Sequence, residues 1–308
     1  MSSLQNKRVL VTGGNGFLGK HLVQHLWERG YDTHTADVKR YDLRYSGCVD
    51  EMYQRIEPQV VINLAAAVGG IGDNLKRPGT FFYDNMMMGM NVLEGARCYG
   101  VEKFVQMGSA CEYPRDAEMP LVEWNLWNGY PEGSNAAYGI AKRALFTMGQ
   151  AYREQYGMNV IHILPTNLYG PGDNFEGNGH FIPAAIRRVS EAVESGSETV
   201  EMWGTGEATR DFLYVKDAAE GIALAMERYN HSEPVNLGSG KEWKIREVAQ
   251  KIGLFSGFAG KLTWDESKPD GQPRRVLDTS KAKAFGWEAD TLLEAGLLRT
   301  IEWYNSVK

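Results

Sequence analysis

The run Arg8-Val9-Leu10-Val11-Thr12 passes directly into Gly13-Gly14-Asn15-Gly16-Phe17-Leu18-Gly19, and this junction limits the fold more than any other part of the chain. A short apolar run predicts a buried strand, glycines three apart permit a tight turn, and apolar residues at helical spacing from Phe17 to Trp27 open a helix. Glycine lets backbone approach a pyrophosphate closely, and free N–H groups at the helix N-terminus favour its charge. Gly13, Asn15, Gly16, Phe17, Leu18 and Gly19 are therefore expected to hold a dinucleotide. Glycines that merely terminate a strand give a weaker version of the same pattern.

The alternation continues. Strands are expected at 32–38, 60–66 and 103–107, helices at 49–56 and 81–98, then a long helix at 136–156 and a strand at 159–164. Strand–helix repetition of this kind predicts an α/β chain with a doubly wound parallel sheet of six or more strands. Beyond Pro165 the pattern loosens into loops at 170–179, 204–206 and 238–240, rich in Gly, Pro, Asn or Asp. The expected division is a dinucleotide domain at 1–165, with segments returning near 213–240, and a smaller α/β substrate domain at 166–212 and 241–308.

A net charge of -6 argues against the basic surface that binding nucleic acid requires, so any phosphate must be gripped locally. The polar opening Met1-Ser2-Ser3-Leu4-Gln5-Asn6-Lys7 and the lack of a long apolar run predict a cytoplasmic protein that does not engage a membrane. Cys48, Cys98 and Cys111 are scattered and lack ligand spacing, so neither disulfides nor a metal site is expected.

Asp37 falls near the end of the second strand, where a carboxylate can accept hydrogen bonds from an adenosine ribose. That favours NAD(H) over NADP(H), although Lys39 and Arg40 could instead meet a 2′-phosphate. Asp42 and Leu43, and the strand end Leu64-Ala65-Ala66, are further candidates for the cofactor's edge.

Ser109 follows the 103–107 strand, at the edge where open parallel sheets bind ligands. Tyr138 and Lys142 are four apart, so on a helix they share a face. Together with an oxidised nicotinamide, a neighbouring ammonium would lower a phenol's pKa toward neutrality. Tyr138 is then expected to exchange a proton at a carbinol or ketone, Lys142 to hold the cofactor ribose and Ser109 to orient the substrate oxygen. Such a pair occurs by chance on many helices; the glycine turn and strand-end serine give it weight.

The glycine turn, Ser109 and Tyr138-Gly139-Ile140-Ala141-Lys142 resemble the extended short-chain dehydrogenase/reductases that act on nucleotide sugars. Residues 65–71, 108–114 and 165–175 narrow the likeness to the GDP-L-fucose synthase family, which epimerises a GDP-4-ketosugar at C3 and C5 and reduces C4. The resemblance covers nearly the whole chain. It implies a GDP-linked sugar as substrate, Cys111 and His180 as the acid/base pair for epimerisation, and a homodimer built on the helices near 81–98 and 136–156. It further implies Arg188 and Arg210 on the diphosphate, Trp203 near the base, and a closing loop at 268–275 that contains Arg274. Asn167 is expected to bind the sugar or its phosphate, or else to cap a turn.

Read without the family, Cys111 is a small buried hydrophobe and His180 a loop histidine. Asn15 and Asp37 depart from the NADPH-favouring pattern of fucose synthases. This leaves a second enzymatic reading that resembles GDP-mannose 3,5-epimerase, in which tightly bound NAD oxidises C4 transiently. His180 and the run 165–171 favour the fucose-synthase side. A non-catalytic dinucleotide sensor stays open because fold alone proves no activity.

Overall fold

A computed structural model describes residue 4 and residues 6–176, 179–268 and 270–308. The expectations touching 1–3, 5, 177, 178 and Pro269 lie outside the described residues. The first half runs β1 (Arg8–Thr12), α1 (Phe17–Glu28), β2 (Asp32–Ala36), α2 (Ser46–Ile56), β3 (Val60–Asn63), α3 (Ile71–Lys76), α4 (Pro78–Cys98), β4 (Lys103–Met107), α5 (Ala136–Tyr156) and β5 (Asn159–Pro165). The second runs β6 (Asn167–Tyr169), α6 (Phe181–Ser195), β7 (Thr199–Trp203), β8 (Thr209–Arg210), β9 (Phe212–Tyr214), α7 (Val215–Arg228), β10 (Val235–Leu237), β11 (Trp243–Lys244), α8 (Ile245–Phe255), β12 (Lys261–Asp265), α9 (Ser280–Ala284) and α10 (Leu293–Ser306).

The main sheet is six-stranded, in the order β10-β5-β4-β3-β1-β2, and every pairing in it is parallel. The order reverses beside β1, so the carboxyl ends of β1, β3 and β4 face a crevice where open α/β sheets take ligands. Strands β3 and β4 are buried along their whole length, as a sheet covered by helices on both faces demands. On one face α1 and α7 pack together around Leu22, Leu26, Ile222 and Met226; on the other, α2, α4 and β-strand side chains enclose Met52, Tyr53, Val92 and Phe104.

A separate core gathers Tyr169, Phe175, Ile182, Ile186, Val248, Ile252, Leu297 and Ile301, from β6, the loop after it, α6, α8 and α10. Three small two-stranded sheets, β11-β8, β12-β7 and β6-β9, surround it. Among the described residues no helix is long and apolar enough to cross a membrane.

Candidate active site

The glycine turn is shaped by contacts that leave no room for side chains. Gly13 adopts φ +68°, and a Cβ there would sit 3.0 Å from the Ala65 amide nitrogen. A Cβ on Gly19 would lie 2.2 Å from the Gly13 carbonyl oxygen, so only glycine lets α1 start this close to the turn. Gly16 N–H donates to Gly13 O at 3.0 Å, and Gly16 caps α1 without any side-chain hydrogen bond to its first N–H groups. Asn15 is exposed at the tip, while Phe17 and Leu18 are half-buried. A cradle that a Cβ would fill, beside uncapped helix N–H groups, fits a pyrophosphate.

Behind the turn, Thr12 Oγ1 donates to Asn63 Oδ1 at 2.6 Å and Asn63 Nδ2 to Gln106 Oε1 at 3.0 Å, tying the ends of β1, β3 and β4. Ala65 N donates to Thr12 Oγ1 at 3.3 Å, which places Leu64, Ala65 and Ala66 alongside Gly13. These residues extend past the end of β3, where the sequence predicted continued strand; Leu64 N–H and Ala65 N–H instead bond the carbonyl and hydroxyl of Thr12 at the end of β1.

Asp37 lies just beyond β2, exposed, and accepts Lys39 N–H at 2.9 Å. Arg40 is engaged by Glu51 at 2.7 Å. Asp42 is gripped by Arg44 at 2.7 Å, and that hydrogen bond holds its carboxyl below the usual range. The Leu43 side chain is buried in the core over α2.

Strand β4 delivers Ser109 as the cap of a short 3-10 turn, Ala110–Glu112. Ser109 Oγ accepts Cys111 N–H at 3.1 Å, and Glu112 Oε1 accepts Ser109 N–H at 2.8 Å. Tyr138 and Lys142 stand in the first turns of α5, with Lys142 Nζ 5.8 Å from the Tyr138 ring centre. The Ser109 side chain lies close enough to the Tyr138 hydroxyl to act against its upward shift, so the expected trio comes together.

Burial, then the neighbouring Cys111 and Glu112, push the Tyr138 phenol well above its ordinary value; only the Ser109 side chain opposes them. The Lys142 ammonium is buried, donates to Met107 O at 3.0 Å, and is itself pushed down to about 8. Desolvation outweighs the attraction expected from helical spacing alone.

Cys111 Sγ receives Asn135 Nδ2 at 3.3 Å and Arg275 Nη1 at 3.7 Å. His180 caps α6, and the protein packed around its ring lowers the imidazole below its ordinary value although part of the ring meets solvent. Among the described residues it makes no hydrogen bond to Cys111. Asn167 Nδ2 donates to the Asp211 carbonyl at 2.9 Å. Arg188 lies over the half-exposed Trp203 ring at 5.4 Å, and Lys268 over the same ring at 5.9 Å.

Arg210 is held by the carbonyls of Thr209 and Gln272, each at 2.7 Å, and burial with Arg275 nearby lowers it to about 10. Arg274 is committed to a two-pronged pair with Glu242, both contacts 2.8 Å. Its neighbour Arg275, expected only as part of the same closing loop, is the arginine that faces Cys111 and Arg210. Glu112 was missed, although Ser109-Ala110-Cys111-Glu112 is the spacing of a capping box. Among the described residues no cluster of three or more His, Cys, Asp or Glu side chains gathers as a metal would need.

Residues 9–238 match the NAD dependent epimerase/dehydratase family. The chain belongs to this family. Within it, the chain is 40% identical over 300 residues to "Probable GDP-L-fucose synthase 1" of Oryza sativa subsp. japonica, covering 96% of this chain and 92% of that one. A solved GDP-6-OMe-4-keto-L-xylo-heptose reductase from C. jejuni superposes with a TM-score of 0.94 at 27% identity, covering 100% of both chains. A GDP-L-fucose synthetase from Naegleria fowleri bound to NADP gives 0.91 at 30% identity, covering 99% of this chain and 96% of that one. The doubly wound sheet is thus that of an epimerase/dehydratase-family enzyme that uses a nicotinamide dinucleotide.

Proposed function

We propose that this enzyme reduces the C4 ketone of a GDP-linked 4-ketosugar, with Cys111 and His180 available to move protons at C3 and C5. The observation that carries the reading is the juxtaposed Ser109–Tyr138 pair with Lys142 behind it, at the same sheet edge as the uncapped glycine turn. A bound nicotinamide supplies the hydride and, when oxidised, a positive charge. Ser109 orients the ketone oxygen, and Tyr138 gives that oxygen its proton. Lys142, anchored by Met107 O, steadies the ribose side. Removal of a proton beside the ketone leaves an enolate, so redelivery from the other face by a second group inverts the carbon.

Arg210, Arg188 and Trp203 are proposed to take the diphosphate and base, since a guanidinium fork matches phosphate oxygens and an aromatic face matches a purine. Arg275 replaces Arg274 in that proposal, because Glu242 already neutralises Arg274. Asn167 is assigned to the sugar side. Asp37 supports NADH over NADPH: its carboxylate would repel a 2′-phosphate while Arg40 is engaged by Glu51. The sheet half, including its return through β10, is assigned the cofactor and the 166–212 and 241–308 segments the nucleotide sugar. A homodimer through α4 and α5 is supported by the exposed Phe82, Tyr83 and Met90 on α4, and a cytosolic setting by three free thiols.

The second reading, a redox-neutral 3,5-epimerase with retained NAD, is favoured by the same Asp37. One experiment separates them. Mixing the enzyme with GDP-4-keto-6-deoxymannose and NADH or NADPH should consume the reduced cofactor and yield a 4-hydroxy sugar by NMR. Stoichiometric NAD released on denaturation, with epimerised product and no net redox change, would sink the reductase.

A further inference from the structure

Beneath Ser109 lies a pair that the reaction as proposed does not use. Glu112 and His162 of β5 are fully buried, with His162 Nε2 at 3.0 and 3.2 Å from the two carboxylate oxygens. Among the described residues His162 Nδ1 is buried without a partner, so Nε2 is the ring nitrogen that meets Glu112. The Phe146 ring closes over the imidazole at 4.8 Å. Room for the pair exists only because residue 108 is glycine: a Cβ there would lie 2.3 Å from both Glu112 Oε1 and His162 Nε2.

Folding alone gives no reason for this arrangement. A buried, partly satisfied polar pair contributes no more to stability than apolar side chains of similar volume. Its contacts point to the catalytic turn. The same Glu112 oxygen that meets His162 accepts Ser109 N–H, Ser109 Oγ then accepts Cys111 N–H, and Arg143 of α5 donates to the Glu112 carbonyl. Glu112 thus joins β5 and the strand-end turn through its carboxylate, and α5 through its main-chain carbonyl.

We propose that Glu112 and His162 are positioning residues: a buried acid–imidazole brace that fixes Ser109 and Cys111 against Tyr138 and keeps a negative charge beneath the reacting groups. The inference rests on the reductase reading above. The groups facing this charge are His162 on β5, Tyr138, Lys142 and Arg143 on α5, and Tyr113 next to it in the chain. The carboxylate favours the protonated forms of both Tyr138 and Lys142. Removing it therefore makes both groups lose their protons at lower pH.

The test compares Glu112→Gln with the apolar double variant Glu112→Ile/His162→Val. Both are expected to fold and to keep KM for cofactor and GDP-4-ketosugar within about twofold. In both, kcat should fall about tenfold and the alkaline limb of its pH profile should move to lower pH by about half a unit. Amide exchange at Ser109 should quicken in the double variant, which lacks the acceptor. A double variant that is stable and has wild-type kcat, pH limb and exchange overturns the brace. Tyr138→Phe, run in the same assay, tests the underlying reading separately: if it turns over normally, the proposed reaction fails, and exchange at Ser109 alone then decides the brace.

Discussion

Replacing Gly19 by alanine should cost this enzyme its cofactor more than its fold. The added Cβ would lie 2.2 Å from Gly13 O, 2.6 Å from Gly14 Cα and 2.8 Å from the Gly14 carbonyl carbon. All are backbone atoms of the turn, so no side chain can swing aside, and an ordinary contact requires α1 to withdraw by roughly 1 Å. Withdrawal presses the buried Leu22 and Leu26 toward α7, an overpacking of about 1–3 kcal/mol. Alanine returns about 1 kcal/mol of helix propensity, so the net loss of stability is about 0–2 kcal/mol. Binding has no such compensation. Moving the helix terminus off the pyrophosphate forfeits about 1.5–3 kcal/mol of charge-assisted hydrogen bonding and about 0.3–1 kcal/mol of helix-terminus attraction. Together these raise the dissociation constant roughly 20- to 1000-fold. Fluorescence titration with NADH and NADPH measures it, with Gly47→Ala on α2 as control, since a Cβ there meets nothing within 4 Å. A folded Gly19→Ala protein that binds within threefold of wild type would refute the assignment of this turn to the pyrophosphate.

Asp37→Ser should move cofactor preference toward NADPH by about 1.5–3 kcal/mol, or roughly ten- to a hundredfold in the ratio of kcat/KM values, as expected for a carboxylate near a 2′-phosphate; an unchanged ratio removes Asp37 from the adenosine site. Arg210→Lys keeps the charge but loses the planar fork, so KM for the nucleotide sugar should rise about tenfold or more while kcat changes little; steady-state kinetics at saturating cofactor checks this. Lys103 and Lys142, both buried and lowered to about 8, are protonated in the unfolded chain but lose protons in the folded one as pH rises through 8. Their contribution to stability is absent below pH 8 and returns toward 10.5, so urea midpoints should climb between pH 8 and 9.5, by up to about 1.4 kcal/mol per unit per group. Above pH 10 the buried phenols of Tyr53 and Tyr113, pushed above their ordinary value, act in the opposite sense.

Where a segment is buried on both sides and bounded by turn residues, its pattern defined it closely: β4 and α5 occupy the expected 103–107 and 136–156. Helix α4 begins three residues before the expected Phe81, at Pro78, because proline is pre-set for a first helical position. Strands such as β8 and β11 span two residues each, too short for any periodicity to register. At the site, glycine spacing and a Tyr–Lys pair survive translation into three dimensions because turn and helix geometry are local. Which of Arg274 and Arg275 faces Cys111 is not local: it depends on a loop whose direction is fixed by the bond from Asp211 N–H to Arg275 O and by the Glu242 pair. The Glu112–His162 contact joins residues fifty apart and runs against the expectation that charge stays at the surface.

The main sheet is completed late. Its edge strand β10, whose Val235 and Leu237 are fully buried, arrives only after the chain has left β5 at Pro165 and built most of the second core. During synthesis the nascent cofactor half must therefore wait with the β5 edge unpaired, a surface open to other strands. Closing that edge also brings Asn236 into hydrogen bonds with Tyr113, Leu121 and Asp278, so the last strand to dock also clasps the segment that follows β4 and the chain just before α9. A fragment ending at Pro165 should expose that edge and aggregate, and the two halves should unfold as one cooperative unit.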